Sequence, residues 1–499
     1  MTSLKRRDFI RRSLAATAGS AAFMAMLGKL EMAQAQSAGR GTLLGVGSDY
    51  RALVCIYLYG GNDCFNMVVP RDSGGYATYA ATRGSIALPQ ASLLPLTTAE
   101  APQGGGQFGL HPSMTGLRTM FNAGRAAVIA NTGPLVRPVN KALYEMPGTL
   151  LPAQLFSHSD QSVQWQTPRA DTTSRTGWGG RLADIFAGDN GNPTLSMNVS
   201  LDGDNVFQAG IDVSPYFMSS QGVESIGSID TGAANCAGTN AWNRRRCMTF
   251  NALMNRQYAH PFQRAYADKV KSTLAVSSML QAALATQPDT DAVYRPFWDL
   301  HGLPWNPANL VELPRLAAQL LMIARVMRVR SMLQMSRQLF FAGIGGFDTH
   351  DTQLADQAPL LADLSQSVQA FYQVLDNPAF NLGTQVTTFT ASEFGRTLTN
   401  NGDGTDHGWG GHHLVFGNSV RGARIYGRMP NLSANTSNPD NAGWGQIIPT
   451  LSVDQYAATL ASWFGLVPAD RDEIFPNLVH MNGPLLSMSG PNLGFMNSI

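Results

Sequence analysis

Three histidines and two aspartates crowd among five glycines in one stretch of this chain, Asn401-Gly-Asp-Gly-Thr-Asp-His-Gly-Trp-Gly-Gly-His-His413. Carboxylate oxygens and imidazole nitrogens are the usual ligands of divalent metals of borderline character, and glycines let a loop bend closely around an ion. Asp406 and His407 are neighbours, so they can face one ion together only from a loop, which Gly404 and Gly408 permit. If His413-Leu-Val-Phe416 enters a strand, His412 and His413 point to opposite faces. Only one of the pair then reaches the metal, with His413 favoured. Taken alone, the stretch reads equally well as a surface loop whose histidines cap backbone groups.

Other segments supply the further ligands that such a site needs. Asp63 closes the turn Gly60-Gly-Asn-Asp63, which ends the apolar run Arg51 to Tyr59. That run reads as a buried central strand, and in open α/β sheets the ligand crevice lies at the C-terminal ends of such strands. Asp348 and His350 follow Gly343-Ile-Gly-Gly-Phe347, and the β-branched run Thr384 to Ala391 ends in Ser392-Glu-Phe-Gly-Arg396. Ser157-His158-Ser-Asp-Gln161 is a further polar cluster. Six or so Asp and His ligands from several strand ends suit a two-metal site. There, two divalent ions (zinc, manganese or similar) about 3.5–4 Å apart clamp the attacking and leaving oxygens of an in-line displacement. Each residue also has a plainer reading: Asp63 and Ser157 as helix caps, Glu393 with Arg396 as a structural ion pair.

The elements that must hold these residues alternate. Ala126 to Asn131 is a second buried strand. Pro112 to Gly124, 249–286, Leu313 to Phe341, Ala355 to Leu375 and Val453 to Phe464 carry helical patterns. Strands alternating with helices predict an α/β fold, a three-layer α/β/α sandwich with a mostly parallel central sheet. Residues 188–248 are rich in Gly, Ser, Asn and Asp and read as irregular β structure or an inserted subdomain.

With 499 residues, 44% hydrophobic and 14% charged, the chain can bury a large core and has neither a disordered nor a nucleic-acid-binding composition. Lys5-Arg-Arg-Asp-Phe-Ile-Arg11, the modestly apolar run Ser13 to Leu30 and Ala33-Gln-Ala35 resemble a twin-arginine export signal over residues 1–35. Lys29 and Glu31 interrupt the run, so no stable membrane span is expected. The implied partner is the Tat export machinery, and the implied location is periplasmic or secreted. That route carries folded proteins, commonly with their metal loaded. Removing residues 1–35 leaves 29 Lys and Arg against 32 Asp and Glu, a formal charge of −3. In an oxidising compartment a disulfide between Cys236 and Cys247 would close a short polar loop. Cys55 reads as a buried small hydrophobe, Cys64 as free or bridged, and the lack of a Cys-x-x-Cys pair argues against a thiolate zinc site.

The order Asp, Asp-x-His, Asp-His, His resembles the alkaline phosphatase superfamily. Tyr59-Gly-Gly-Asn-Asp-Cys-Phe-Asn66, Gly346-Phe-Asp-Thr-His350, Ser392-Glu-Phe-Gly-Arg-Thr397 and Gly404-Thr-Asp-His-Gly-Trp-Gly410 more closely resemble the DUF1501 family, over roughly residues 50–430. This is a bacterial family of mostly exported proteins placed in that superfamily. The resemblance implies one metal held by Asp348, His350 and His413 (or His412), and a second held by Asp63, Asp406 and His407. It matches Ser157 to the nucleophile and gives His158 a contact to substrate or metal. The activity implied is hydrolysis of a phosphate or sulfate ester, on a small molecule or a polymer. Arg396 would hold a non-bridging oxygen, and Glu393 would orient Arg396 or a water. The sequence departs from the superfamily at two places, and the second, which leaves the nucleophile unassigned by any signature, favours a secreted, non-catalytic envelope or binding protein that retains the fold. The single residue between Asp348 and His350 is a narrower gap than the superfamily's, and the nearest approach to the sulfatase signature, Ser113-Met-Thr-Gly-Leu-Arg118, lacks its proline.

Overall fold

The run beginning at Arg51 has no polar face to offer water, so it is satisfied only in a sheet covered on both sides. A computed structural model, describing residues 49–223, 236 and 240–497, places it there; the expected signal segment 1–35 lies outside the described residues. Arg51–Leu58 (β1) is central in a nine-stranded sheet. The other strands are Ala126–Gly133 (β2), Asn198–Ser200 (β3), Tyr216–Phe217 (β4), Arg337–Ile344 (β5), Val386–Ala391 (β6), Gly411–Phe416 (β7), Arg424–Tyr426 (β8) and Leu451–Ser452 (β9). They run β8-β2-β7-β6-β1-β5-β3-β4, with β9 also on β2. Every pairing is parallel except those of β7, which opposes both β2 and β6.

Adjacent residues of β6 show the two covering layers, because successive side chains leave a strand on opposite faces. Thr388 meets the hydroxyl of Tyr372, on the helix Gln353–Asp376, at 3.1 Å. Phe389 packs on Trp178, of the helix Trp178–Phe186, and on Tyr456, of the helix Val453–Phe464. The fold is therefore a three-layer α/β/α sandwich around a mostly parallel sheet. The helix Val453–Phe464 starts with a capping box, Ser452 Oγ accepting from Gln455 N and Gln455 Oε1 from Ser452 N, both at 3.1 Å.

Two expectations change on inspection of the elements. The helix read as Leu313 to Phe341 stops at Arg328, and its last residues belong to β5. The helix is buried from Leu316 to Met327 and the strand along its whole length, so neither shows over those residues the polar face whose period separates helix from strand. Residues 249–286 form parts of two helices, Ala241–Met254 and Pro261–Ala285, the second opened by a proline at its first position. Of the stretch 188–248, two segments extend the main sheet as β3 and β4. Cys236 and Cys247 form a disulfide, and Cys55 and Cys64 are free and buried. Among the described residues no helix is long and apolar enough to cross a membrane.

Register decides where polar groups collect. Leu58 pairs with Ile344 and Tyr57 with Ala391, so β1, β5 and β6 end level and their following loops leave side by side. Because β7 runs the other way, the chain reaches it from this same edge.

Candidate metal centre

Asp348 and His350 lie in the loop after β5, Glu393 in that after β6, and Arg396 where that loop enters the next strand. Asp406 and His407 come from a short antiparallel ribbon, Arg396–Asn400 with Thr405–His407, which precedes β7. His158 is the first residue of the helix His158–Gln166.

A hydrogen-bond acceptor stands at Nδ1 of each of the three imidazoles. His407 Nδ1 is 2.8 Å from the Phe156 carbonyl, which only accepts, so Nδ1 carries the proton and Nε2 keeps its lone pair. Asp406 Oδ1 at 3.2 Å from His350 Nδ1, and Glu393 Oε1 at 3.4 Å from His158 Nδ1, are acceptors placed for the same tautomer there. In that tautomer the lone pairs converge, His158 Nε2 and His350 Nε2 each lying 3.0 Å from His407 Nε2. Asp348 adds carboxylate oxygens 3.4 Å from His158 Nε2, 3.4 Å from His407 Nε2 and 3.1 Å from His350 Nε2. With every Nε2 unprotonated the arrangement is repulsive, and either a proton or a metal cation within it relieves that. His158, Asp348 and His407 each present one ligand atom, all within 4.8 Å of one another. A tetrahedral ion about 2.0–2.1 Å from nitrogen and oxygen ligands spaces them about 3.3–3.4 Å apart. The observed separations of 3.0 Å and 3.4 Å match that spacing.

The second ring of contacts holds these ligands in place. The buried Glu393 carboxylate accepts from Gly60 N and Gly61 N, both at 3.0 Å, and presents Oε1 to His158, the carboxylate–histidine arrangement common behind metal ligands. Only glycines serve at those two positions. Their φ values are +115° and +79°, and a Cβ would stand 2.2 Å from Asp348 N at Gly60 and 2.2 Å from the Phe394 ring at Gly61. Arg396 is fully buried, and its guanidinium is spent internally: Nη1 on Asp348 Oδ1 at 2.5 Å and Gly60 O at 3.1 Å, Nε on Thr405 Oγ1 at 3.2 Å, Nη2 on Thr405 O. Burial pushes the Asp348 carboxyl up, but Arg396 outweighs it and holds the group below its ordinary value. The Glu393 hydrogen bond raises His158, while burial lowers His407. Phe394, unremarked in sequence, lies under both rings, 4.9 Å from His407 and 4.8 Å from His158.

The fold does not bring the other expected residues into this group. Asp63 is buried: Oδ1 accepts from Phe65 N at 3.1 Å, capping Cys64–Met67, and Oδ2 is bound by Arg83 Nη2 and Gln353 Nε2. His412 and His413 lie inside β7, which runs from the site into the core. His412 Nδ1 accepts from Asn131 N at 3.0 Å, and the His413 ring packs 4.3 Å from Trp165. The fold thus groups His158, Asp348 and His407 as candidate ligands with His350 and Asp406 beside them, and does not bring together the sets Asp348–His350–His413 (or His412) and Asp63–Asp406–His407. Ser157 caps its helix, donating to Asp160 Oδ2 at 2.6 Å and accepting from Asp160 N at 3.4 Å. Glu393 and Arg396 act on different ligands rather than on each other. Sequence also passed over Trp444, 89% exposed at φ +54° on the turn beside the ribbon, where Thr399 Oγ1 donates to its carbonyl at 2.9 Å. A bulky residue in that backbone region marks strain, which no local pattern announces.

The buried histidines carry a prediction for stability. Burial drags the pKa of His412 and His413 to about 3 and of His111 to about 4, so all three are neutral in the fold. In the unfolded chain they take up protons below about pH 6.5, so each removes about 1.4 kcal/mol of stability per pH unit from there down to its folded value. Asp454, raised by burial to about 8, acts in the opposite sense as pH falls from about 8, leaving a net loss among these four buried groups. Urea midpoints should therefore fall between pH 6.5 and 4.5, and His413→Leu should flatten the slope. An unchanged slope in that variant would refute the assignment.

A protein-family profile described as "Protein of unknown function (DUF1501)" matches residues 50–442, a span that contains every residue of this centre. No curated protein matches the chain.

Proposed function

The chain belongs to the DUF1501 family, and from its strand-end ligand set we propose that it is an exported, metal-dependent hydrolase of phosphate or sulfate esters. The observation that carries the reading is the convergence of three imidazole nitrogens and one carboxylate, each held from behind. Two nitrogens and an oxygen suit zinc, manganese or a similar divalent ion, which His158, Asp348 and His407 would hold. We propose one resident ion in place of the expected two, because the carboxylate of Asp63 is consumed by Arg83 and Gln353.

A bound ion would polarise an ester oxygen and acidify a water. The chain's own groups do the rest. Glu393 and Arg396 orient His158 and Asp348. His350 keeps Nε2 toward the ligand cluster while Asp406 fixes its Nδ1, an imidazole–carboxylate pair suited to taking the proton of the attacking water. Ser157 is spent on its cap, so water supplies the attacking oxygen. The alkaline phosphatase-like order of Asp and His supports ester hydrolysis over other metal chemistry. Export rests on the sequence of residues 1–35. One observation favours the second reading, a non-catalytic secreted binding protein: the guanidinium of Arg396 is committed internally and leaves no free bidentate face for an ester oxyanion.

Metal analysis of the mature protein, purified from the periplasm without added metal and assayed on aryl phosphates and sulfates, tests the proposal. One equivalent of ion with turnover is expected. A folded protein that neither carries nor takes up zinc or manganese would sink the metal assignment, and a metal-loaded protein inert on both ester classes would leave the binding reading.

A further inference from the structure

The helices Ala241–Met254 and Pro261–Ala285 differ in character from the body that carries the metal centre. The second is anchored by its C-terminal half, where Val276, Leu280, Ala283 and Leu284 are buried and Ser277 Oγ meets Tyr216 Oη at 2.9 Å. Over residues 240–272 the only buried side chains are Cys247, pinned by the disulfide to Cys236, and Ala267. The remainder projects into solvent with Trp242 67% exposed, Tyr266 68% exposed, and Met248, Leu253 and Phe262 also exposed. This density of large apolar side chains at a surface marks a contact face. The same segment is strongly basic: residues 240–285 hold seven Lys and Arg against one Asp, in a chain whose formal charge is +1. Successive turns of the first helix place Trp242, Arg245, Arg246, Thr249, Phe250 and Leu253 around one groove of about 340 Å³.

We propose that this arm docks the protein on an anionic lipid surface. A second copy is disfavoured, since two faces this basic repel each other. A hydrophilic polyanion would answer the guanidiniums but leave the indole and phenyl groups in water. A bilayer interface takes both, arginines against phosphate headgroups and aromatic rings at the boundary with the acyl chains. Attachment by this arm is peripheral and reversible, weakened by salt, and needs no spanning helix.

The test is co-sedimentation of the mature full-length protein with vesicles of phosphatidylcholine alone, or of phosphatidylcholine with a minor fraction of phosphatidylglycerol. Binding to the anionic vesicles only, reversed by salt, is expected. Arg245→Glu/Arg246→Glu should lower partitioning at least about tenfold, and Trp242→Ser should weaken it further without changing the salt dependence. Should the arginine pair fail to fold, Lys269→Glu/Lys271→Glu on the neighbouring helix serves in its place. The proposal is overturned by no binding to anionic vesicles at low salt, or by folded variants that bind as wild type does. It is equally overturned if the arm retains the protein on heparin but not on vesicles, or if it proves to hold a dimer in solution.

Discussion

His407→Ala should fold normally, lose the bound ion and lower ester hydrolysis by at least about a thousandfold, since the Lewis-acid contribution it removes amounts to several kcal/mol. The expectation rests on position: His407 Nε2 lies 3.0 Å from both His158 Nε2 and His350 Nε2. Glu393→Gln, which disturbs a ligand from behind, should cost about 10–100-fold in metal affinity and leave an enzyme that excess metal rescues. His412→Gln and His413→Leu should leave metal content unchanged, because both side chains are sealed inside β7. Metal stoichiometry with a zinc titration of the four proteins separates these cases. Loss of metal in His413→Leu together with retention in His407→Ala would show that the centre has been drawn around the wrong histidines.

Asp63→Ala should destabilise the protein by about 3–5 kcal/mol, because it leaves the buried Arg83 cation without its partner. It also strips Gln353 Nε2 of an acceptor and the helix Cys64–Met67 of its cap. Asp63→Leu/Arg83→Met, which removes both charges, should recover much of the loss. Urea midpoints of the two variants read the effect, and the metal carried by the folded fraction of Asp63→Ala should match wild type. A ligand role for Asp63 would show the reverse pattern, with little change in the stability of the metal-free protein and a fall in bound metal.

Several parts of the site could be read from sequence because local chemistry encodes them. β1 and β6 are unbroken apolar or β-branched runs, and each ends in glycine and carboxylate residues, so both the strands and the polar turns at their ends are visible in the one-dimensional pattern. The cysteine pair flanking a polar loop belongs to the same class, as do the phrases that match the family. β5 does not, because a strand buried on both faces has no alternation to distinguish it from the end of the buried helix before it.

The grouping of ligands required tertiary structure. His412 and His413 look like ligands beside His407, and the reversed direction of β7 alone carries them away from the strand ends into the core. Asp63 sits at the expected strand end, yet its charge is claimed by Arg83, 20 residues on, and by Gln353, 290 residues on. His158 joins the centre from a helix in another segment, and His407 is oriented by the carbonyl of Phe156, a backbone group with no sequence signature. Sequence by itself determined which residues carry metal-binding chemistry and that strand ends would present them, since turn chemistry and apolar periodicity are local. Which of them come together was decided by strand direction and by hydrogen bonds between residues hundreds of positions apart, and those are properties of the folded chain alone.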